Sequence, residues 1–558
     1  MGDDTWSNDE GSDLDPDLFE SSDESDSESD IDRPNNDPGA GAAGDGRGVA
    51  PAAVWGRVAD VQLDQPPEIY NFIDADKVGP VFTAADREPV DYFERFCSPP
   101  SNDSLSLWEI LVTETNRYKH QYDLTHPVLQ RRSRLHDWYD VTVPEMKAFV
   151  GCILNMGLNR KHTIESYWDS SNWSQNFPIF RQIFTLDRFK LILRFFHVSD
   201  NDNAPEEPDQ IYKFRSVLEH LNKKWAAEYN LGRDVSIDET IVGFKGRHTL
   251  VNYIRIKKHH QWGPKEYNLS DSRTGYCYET MYHTRQMPQG DFGKPFEVCR
   301  KLMEPHTEKY HHLVVDNYYT SVALCEQLLQ KKTYVTGTIL SNRVGLPADM
   351  KTKLKEKGDI IATRKGNLLA INWMDRKQVR LLTSCSSANK VEKQRWDGSS
   401  NQVPQVVLDY NYGMGGVDLS DQMTDHYAGE FRTVKLWKKV VFHLIDRTLT
   451  NAYVCYKTNP NIQGKRMDHL SFNIKVVEGL IGDYTTTRRK VGRPSLLPPG
   501  ARKTERHFIE KIPDGKRRKC AVCRQNRSDG FKGSRITTWC KDCGVGLCKG
   551  ECFITYHK

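Results

Sequence analysis

The spacing of apolar residues changes from helical to strand-like and back along the chain. From 91 to 233 apolar residues recur at helical spacing, and residues 142–145 (Thr-Val-Pro-Glu) combine an N-cap, an early proline and a capping-box glutamate. From 234 to 341 the period shortens: residues 266–282 predict a hairpin and residues 313–315 an apolar strand, and helices and strands then alternate. We therefore expect an all-α region followed by an α/β layer with a mixed sheet.

Composition separates the remaining segments. Residues 1–90 are Asp/Ser-rich and Gly/Pro-rich without a periodic apolar face, which predicts disorder. Residues 342–403 carry many Lys and Gly among short β-like runs and predict a β-rich insertion, whereas 418–457 return to helical spacing. A basic Pro/Gly/Arg-rich linker (484–515) then leads into a Cys-rich segment (516–558).

The formal net charge of +3 on 558 residues hides a division between the two ends. Residues 1–32 contain 14 Asp/Glu and no Lys/Arg, so the rest of the chain carries +17, and residues 484–558 alone carry a net +13. A basic tail of this kind indicates a polyanion partner, most simply nucleic acid; a solvated tail with localisation signals is the alternative.

Several classes are excluded by composition and motif. A mean hydropathy of −0.67 and 27% charged residues argue against a membrane protein. The acidic start lacks a secretory signal, so the 13 Cys are expected in a reducing compartment, where clustered thiols bind metal. Neither phosphate-binding glycine motif occurs, so we expect no nucleotide cofactor.

Three widely spaced aspartates are candidates for a metal site. Asp238 and Asp316 each follow apolar strand residues, and Asp418 stands at the start of a helix that also carries Asp421. If they converge, these carboxylates form an oxygen-rich site suited to Mg²⁺ or Mn²⁺ and to phosphodiester chemistry. For each aspartate alone, a turn or helix cap is an equally ordinary role, and Asp421 is either a fourth ligand or an exposed first-turn acid.

The last 39 residues hold six of the 13 Cys. Paired C-x-x-C motifs followed by further Cys and His are typical of Zn²⁺ sites. The candidate ligands are Cys520, Cys523, Cys540, Cys543, Cys548, Cys552 and His557. Two zinc ions need eight ligands, so either His507 or a residue outside the motif completes the set, or one site is weaker than the other. A RING- or PHD-like protein-binding module has a similar spacing.

Three segments together resemble the piggyBac transposase family. They are Ser236-Ile237-Asp238-Glu239 running on to Gly243-Phe244-Lys245-Gly246-Arg247, then Val315-Asp316-Asn317-Tyr318-Tyr319-Thr320-Ser321, then Gly416-Val417-Asp418-Leu419-Ser420-Asp421-Gln422-Met423. The resemblance covers roughly residues 90–558. It implies that Asp238, Asp316 and Asp418 are the catalytic triad of a ribonuclease-H-like core and that Asp421 is an additional metal carboxylate.

The resemblance also implies a domain plan. The ribonuclease-H-like core would comprise 234–341 and 404–428, split by the insertion 342–403. The helical segments 91–233 and 429–483 would together form a dimerisation and DNA-binding domain, and 516–558 would be a zinc-binding domain that reads the transposon end. The implied activity is cut-and-paste transposition of double-stranded DNA by a nuclear homodimer, through hairpin ends and joining at TTAA targets.

Basic residues near these motifs are candidate DNA contacts. They are Lys245, Arg247 and Arg255 after the first aspartate, Arg432, Lys435, Trp437 and Lys438 after the third, and Arg493 in an AT-hook-like Gly-Arg-Pro. For each basic residue a solvated face is the alternative, and Trp437 also begins an apolar helical stripe. The basic runs 488–493 and 516–519 favour nuclear localisation.

Two other functions stay open on the sequence. A domesticated descendant would bind DNA or chromatin without transposing, and a zinc-module interaction protein would use the α/β region as a scaffold. Intact aspartates and an intact Cys tail favour the active enzyme, although a host gene can keep both features.

Overall fold

The computed structural model describes residues 54–84, 87–129, 133–171, 174, 176–254, 260–394, 398, 400–429, 433–484, 507–525 and 535–557. The acidic segment 1–32 and the candidate DNA contacts Arg255, Arg432 and Arg493 lie outside the described residues. The chain forms two compact units, Met1–Thr485 and Thr486–Lys558, which are described separately. No helix among these described ranges is both long and apolar enough to cross a bilayer.

The first unit is built on one ten-stranded mixed sheet. Its strand order is β1-β10-β11-β12-β9-β8-β4-β6-β5, with β7 also paired to β6. The strands of this unit are β1 (Gly56–Arg57), β2 (Gly79–Pro80), β3 (Tyr229–Asn230), β4 (Asp234–Ile241), β5 (Val251–Tyr253), β6 (Trp262–Asp271), β7 (Cys277–Tyr282), β8 (His312–Val315), β9 (Tyr334–Thr338), β10 (Ile360–Lys365), β11 (Leu368–Met374), β12 (Gln378–Thr383), β13 (Lys390–Gln394) and β14 (Ser400–Pro404). Strands β4, β8 and β9 are parallel neighbours, whereas β6 pairs antiparallel with β4. The mixed sheet, the hairpin and the apolar strand expected from the sequence are confirmed.

Six of the twelve described helices of this unit begin at a residue that caps the helix with its side chain or through a capping box. The twelve helices are α1 (Pro89–Cys97), α2 (Leu107–Thr125), α3 (Val143–Leu158), α4 (Pro178–Ile183), α5 (Leu186–Phe195), α6 (Tyr212–Glu228), α7 (Lys294–Met303), α8 (Val322–Gln330), α9 (Gln405–Gly413), α10 (Gly416–Tyr427), α11 (Leu436–Thr458) and α12 (His469–Ile481). Thr142 caps α3 by accepting a hydrogen bond from the Glu145 amide, with proline in the first turn. The helical spacing over 418–457 becomes two helices, α10 and α11.

Two large apolar cores and two smaller ones are buried in the described part of this unit. Helices α1–α6 share one continuous core with α11 and α12, which follow the sheet in sequence; Trp225 and Phe149 are fully buried in it. A second core lies between the sheet and α7–α8 and contains Val235, Ile237 and Leu269. The aromatic residues Trp168 and Phe195 are buried too.

The segment before α1 is more ordered than its composition predicts. Strand β1 pairs with β10, and the carboxylate of Asp64 accepts two hydrogen bonds from Arg364 at 2.6 and 2.8 Å and one from the Ala388 amide. The prediction of disorder through residue 90 is therefore wrong for 54–84. A local composition rich in Pro and Asp hides these contacts because their partners lie about 300 residues away in sequence.

The β-like runs predicted within 342–403 are strands β10–β12, and they continue the central sheet from β9. Strands β13 and β14 form a separate hairpin that leads directly into α9. The segment is thus β-rich as expected, and most of it lengthens the sheet.

The second unit is small. Its elements are β15 (Ile509–Lys511), β16 (Arg518–Lys519), α13 (Ala521–Gln525), β17 (Arg535–Ile536), β18 (Thr538–Cys540), β19 (Val545–Gly546) and α14 (Glu551–His557). Strands β15, β18 and β19 form one sheet, and β16 pairs with β17. Its buried core consists of Cys520, Val522, Cys540 and Leu547, so apolar burial alone is slight.

Candidate active site

Strand β4 presents polar and apolar residues to opposite faces of the sheet. Val235 and Ile237 enter the core shared with α7 and α8. Because side chains alternate along a strand, Ser236, Asp238 and Thr240 share the other face. That face is covered by α10, since Thr240 donates a hydrogen bond to Asp421 on this helix at 2.6 Å. Asp238 is thus directed towards α10.

The neighbouring strand places Asp316 on the same face. β8 runs parallel to β4 with Val315 opposite Ile237, so Asp316 follows at the end of β8 beside Asp238. Val314, two residues earlier, faces α9, because a Cβ on Gly413 of that helix would lie 2.4 Å from its methyl group. Asp316 accepts a hydrogen bond from the Tyr318 amide at 2.9 Å, which fixes the turn after the strand.

Two glycines let α9 and α10 approach the sheet closely. A Cβ on Gly416 would lie 2.5 Å from the Ser236 hydroxyl and 2.9 Å from the Asp271 carbonyl. Gly413 is similarly crowded, and its carbonyl accepts a hydrogen bond from Ser272 at 2.5 Å. Asp418, exposed in the first turn of α10, is thereby brought to the edge where β4 and β8 carry their aspartates.

The charges of all three aspartates affect the pKa of the same residue, Tyr410, so the three lie near one another. Burial raises the pKa of Tyr410 on α9, and the charges of Asp316, Asp238 and Asp418 raise it further. Burial also raises the pKa of Asp316, and the neighbouring Glu239 adds to this shift. Several carboxylates therefore lie in the region around Tyr410, and the charge of Glu239 disfavours the ionised form of Asp316.

This donor set fits a divalent cation. Hard oxygen ligands on rigid elements are what Mg²⁺ and Mn²⁺ take in proteins, and a cation would relieve the mutual repulsion of Asp238, Asp316 and Asp418. Asp421 differs from them, because its two oxygens already accept hydrogen bonds from Thr240 and from Arg447.

Residues not identified from the sequence complete the surroundings. Glu239 accepts a hydrogen bond from the Tyr319 hydroxyl at 3.1 Å, and the Lys265 ammonium lies 4.5 Å from the Tyr318 ring centroid and lowers the pKa of Asp316. Tyr410 of α9 is the third residue near the aspartates that the sequence did not identify. The only sequence signal was the position of Glu239 beside Asp238, because Lys265 and Tyr410 reach the site through strand pairing and helix packing.

The candidate DNA contacts that the structure describes differ in their exposure to solvent. Lys245 and Arg247 are exposed in the loop after β4, and Lys435 is half-buried at the start of α11. Trp437 packs on the helical core, stacked near Phe196 and edge-on to His197.

Lys438 departs from the expectation of a DNA contact. Its side chain is buried, and its ammonium donates hydrogen bonds to the carbonyls of Leu193 and Arg194 at 2.6 and 3.1 Å. The ammonium therefore satisfies the last turn of α5, a role favoured by the helix dipole. This geometry argues against a DNA contact through Lys438.

The second unit brings all seven predicted thiol and imidazole ligands into two clusters and adds His507 as the eighth. One cluster is Cys520, Cys523, Cys548 and Cys552; the other is His507, Cys540, Cys543 and His557; within each the candidate ligand atoms lie within 4.8 Å of one another. In each cluster the ligands come from sequence-distant segments, as in a cross-brace.

The spacing inside both clusters fits tetrahedral zinc. Cys523 Sγ lies 3.4 Å from Cys552 Sγ and 3.8 Å from Cys548 Sγ, and a tetrahedron with Zn–S bonds of about 2.3 Å separates sulfurs by about 3.8 Å. In the other cluster Cys543 Sγ lies 3.3 Å from His507 Nδ1 and 3.4 Å from His557 Nε2. The Nδ1 of His557 lies 2.7 Å from the Phe553 carbonyl, which orients the ring to offer Nε2 to a metal.

Fold and site together define a class: a mixed-sheet protein with a cluster of carboxylates and a separate Cys/His zinc-binding unit. A family model described as "Transposase IS4" matches residues 88–453, and one described as "DDE_Tnp_1-like zinc finger" matches residues 502–558. The chain belongs to the piggyBac family of transposases.

Known relatives agree with this assignment. The chain is 25% identical over 499 residues to the human PiggyBac transposable element-derived protein 3, covering 86% of this chain and 79% of the relative. It is 24% identical over 500 residues to the human PiggyBac transposable element-derived protein 2, covering 85% and 78%. A cryo-EM structure of a piggyBac transposase synaptic complex with hairpin DNA superposes with a TM-score of 0.64 at 20% identity, covering 84% of this chain and 99% of that one.

Proposed function

We propose that this chain is a cut-and-paste DNA transposase whose catalytic core is ribonuclease-H-like and whose catalytic residues are Asp238, Asp316 and Asp418. The observation that carries the proposal is the gathering of these carboxylates on one face of the sheet in a chain of a transposase family. The similarity of fold to a transposase that was solved with hairpin DNA supports it.

In this proposal each aspartate has a structural reason for its role. Asp238 and Asp316 hold the site to two adjacent parallel strands, and Asp418 closes it from α10 through the contact of Gly416 with β4. Together they would hold Mg²⁺ or Mn²⁺. Bound in pairs, such ions activate a water or a 3′-OH and stabilise the leaving oxygen in phosphodiester chemistry.

The proposed reaction proceeds by successive displacements at each transposon end. Water attacks the phosphodiester and releases a 3′-OH. That 3′-OH then attacks the opposite strand, which forms a hairpin and frees the flanking DNA. A second water then opens the hairpin and regenerates the 3′-OH. This 3′-OH attacks a phosphodiester of the TTAA target, joining the transposon end and releasing a 3′-OH on the target strand. The proposed partners are transposon terminal repeats and a second copy of this chain, acting in the nucleus.

The DNA path proposed here uses both units. Lys245 and Arg247 are exposed a few residues after the Asp238 strand, where phosphates of a bound duplex would be neutralised. Lys435 and the partly buried Trp437 are the corresponding candidates on α11. The zinc-finger unit, with its exposed basic run Lys516–Lys519, is proposed to read the transposon end.

A domesticated, non-transposing DNA-binding protein is the second candidate. The human relatives are described as transposable element-derived proteins, and this description favours it. The clustered aspartates favour an active enzyme.

A plasmid excision assay with candidate terminal repeats separates the two candidates. We expect wild-type protein to excise and Asp418→Asn to lose excision, while both bind the ends. Excision retained by Asp418→Asn would remove the aspartate triad. Failure of wild-type protein on every cognate end that it binds would support the domesticated reading.

A further inference from the structure

A buried polar network lies beside the proposed active site, centred on Arg447 of α11. The Arg447 side chain is 0% exposed, and its Nη1 lies 2.5 Å from the Glu266 carboxylate and donates to the Asn268 amide oxygen at 2.9 Å. Its Nη2 donates to Asp421 at 3.1 Å. One guanidinium thus joins the helical core, strand β6 and helix α10.

Two partners of Arg447, Asn268 and Asp421, stand close to proposed catalytic aspartates. Asn268 is the direct cross-strand neighbour of Asp238. Asp421 lies one helical turn after Asp418 on α10. Thr240, two residues after Asp238, closes the loop by donating to Asp421 at 2.6 Å and accepting from Asn268 at 2.8 Å. The network therefore links strand β4, which carries Asp238, to helix α10, which carries Asp418.

Asp421 is a counter-ion of Arg447. Both of its oxygens accept hydrogen bonds, one from a hydroxyl and one from a guanidinium, and its side chain is only 20% exposed. A metal ion on this carboxylate would have to displace Thr240 or Arg447 and would repel the guanidinium. Asp418, by contrast, is exposed.

We propose that Arg447 and Asp421 are positioning residues that set the distance between Asp418 and Asp238, and that Asp421 is not itself a metal ligand. The proposal rests on the function proposed above. A buried ion pair contributes little to stability compared with apolar packing, whereas its directional bonds fix geometry. A planar guanidinium suits this task because it holds Glu266 and Asp421 at fixed angles.

The same unit offers a matched control. Arg188 and Glu145 form another buried pair, 4% and 1% exposed, with hydrogen bonds of 2.6 and 2.8 Å. Both belong to the helical core, on α5 and α3. A lysine in place of either arginine keeps the positive charge but loses the paired hydrogen bonds of the guanidinium. Arg188→Lys therefore measures the general cost of disturbing a buried ion pair.

The test measures Mn²⁺ affinity of the zinc-loaded full chain by electron paramagnetic resonance, counting only binding that Asp238→Asn abolishes. We expect Arg447→Lys to weaken this binding about tenfold, as loss of a group that supports metal ligands does. Arg188→Lys is expected to lower the melting temperature comparably but to keep the wild-type affinity. Asp421→Asn should weaken the affinity without reducing the number of ions bound. Added to Arg447→Lys it should have little further effect, because both act through one network.

Three results would overturn the proposal. They are wild-type Mn²⁺ affinity in Arg447→Lys, loss of one bound ion in Asp421→Asn, and no Mn²⁺ binding that depends on Asp238. If Arg447→Lys fails to fold, Thr240→Val decides, since it removes one hydroxyl that donates to Asp421: weaker binding supports the proposal and unchanged binding refutes it. DNA cleavage by the wild-type protein is measured in parallel. A protein that cleaves no DNA refutes the proposed function, while the Mn²⁺ affinities still decide the positioning role.

Discussion

The two metal-binding regions of this chain are supported in opposite ways. The aspartate site lies on a ten-stranded sheet with two large apolar cores, so its scaffold is formed by packing and its ligands are added to it. The zinc-finger unit offers eight candidate ligands, and the apolar cluster among its described residues has four buried members, two of them cysteines. A metal should therefore be needed for chemistry in the first region and for folding in the second.

Zinc removal should produce the largest difference between the regions. Structural zinc contributes about 10–16 kcal/mol to small zinc domains, so a chelator or Cys520→Ser should unfold residues 507–557. The melting transition of the first unit should stay in place under the same chelator. Limited proteolysis, calorimetry and zinc release measured together check this. If the C-terminal unit still resists protease after zinc is removed, metal is not needed to fold it and the predicted difference between the two regions is wrong.

A second prediction concerns the contact that brings Asp418 to the sheet. Gly416→Ala should destabilise the first unit by about 1–3 kcal/mol, because the added methyl meets the Ser236 hydroxyl and the backbone of Asp271. It should also weaken divalent-metal binding by displacing α10. Chemical denaturation and metal titration check both effects.

The neighbouring Gly415 is the control for this substitution. It has an ordinary φ of −78° and no atom within 4 Å of an added Cβ. Gly415→Ala should change stability by no more than about 0.5 kcal/mol. Equal effects at the two glycines would show that close helix–sheet approach does not place Asp418.

A third prediction is a pH dependence of the first unit that involves no metal. Burial on α11 raises the pKa of Asp446 from its ordinary 3.8 to about 8. Between pH 4 and 8 the folded state therefore holds a proton that the unfolded state has released, and stability falls as pH rises. Asp446→Asn should therefore stabilise the first unit more at pH 8 than at pH 4.5, because the asparagine has no proton to lose. Chemical denaturation of wild-type protein and Asp446→Asn at the two pH values measures the difference in their stability. An equal difference at both pH values would contradict a raised pKa of Asp446.

The elements of the fold were largely predictable from the sequence because they depend on local pattern. Thr142 caps its helix and the hairpin over 266–282 forms as the residues indicate. The ordered segment 54–64 was not predictable, since Asp64 is satisfied by Arg364 across the sheet. The continuation of the sheet by β10–β12 likewise depends on pairing between distant strands.

The same limit applies to the sites. The aspartates and thiols were identifiable by residue type and spacing, as were seven of eight zinc ligands. His507 was only one option for the eighth, because it lies 33 residues before Cys540 and meets it through the β15–β18 pairing. Arg447 gave no sequence signal, since an arginine within an apolar helical stripe is identified as functional only by its buried partners.

The most direct test of the central claim is a calorimetric Mg²⁺ titration of the zinc-loaded protein and its single Asp→Asn variants. Asp238→Asn, Asp316→Asn and Asp418→Asn should each lower the affinity by about 100-fold or more, a larger effect than loss of a supporting hydrogen bond. Asp425→Asn, exposed on the same helix as Asp418, should leave it unchanged. Wild-type affinity in any one of the three variants would contradict a single site built from all three aspartates.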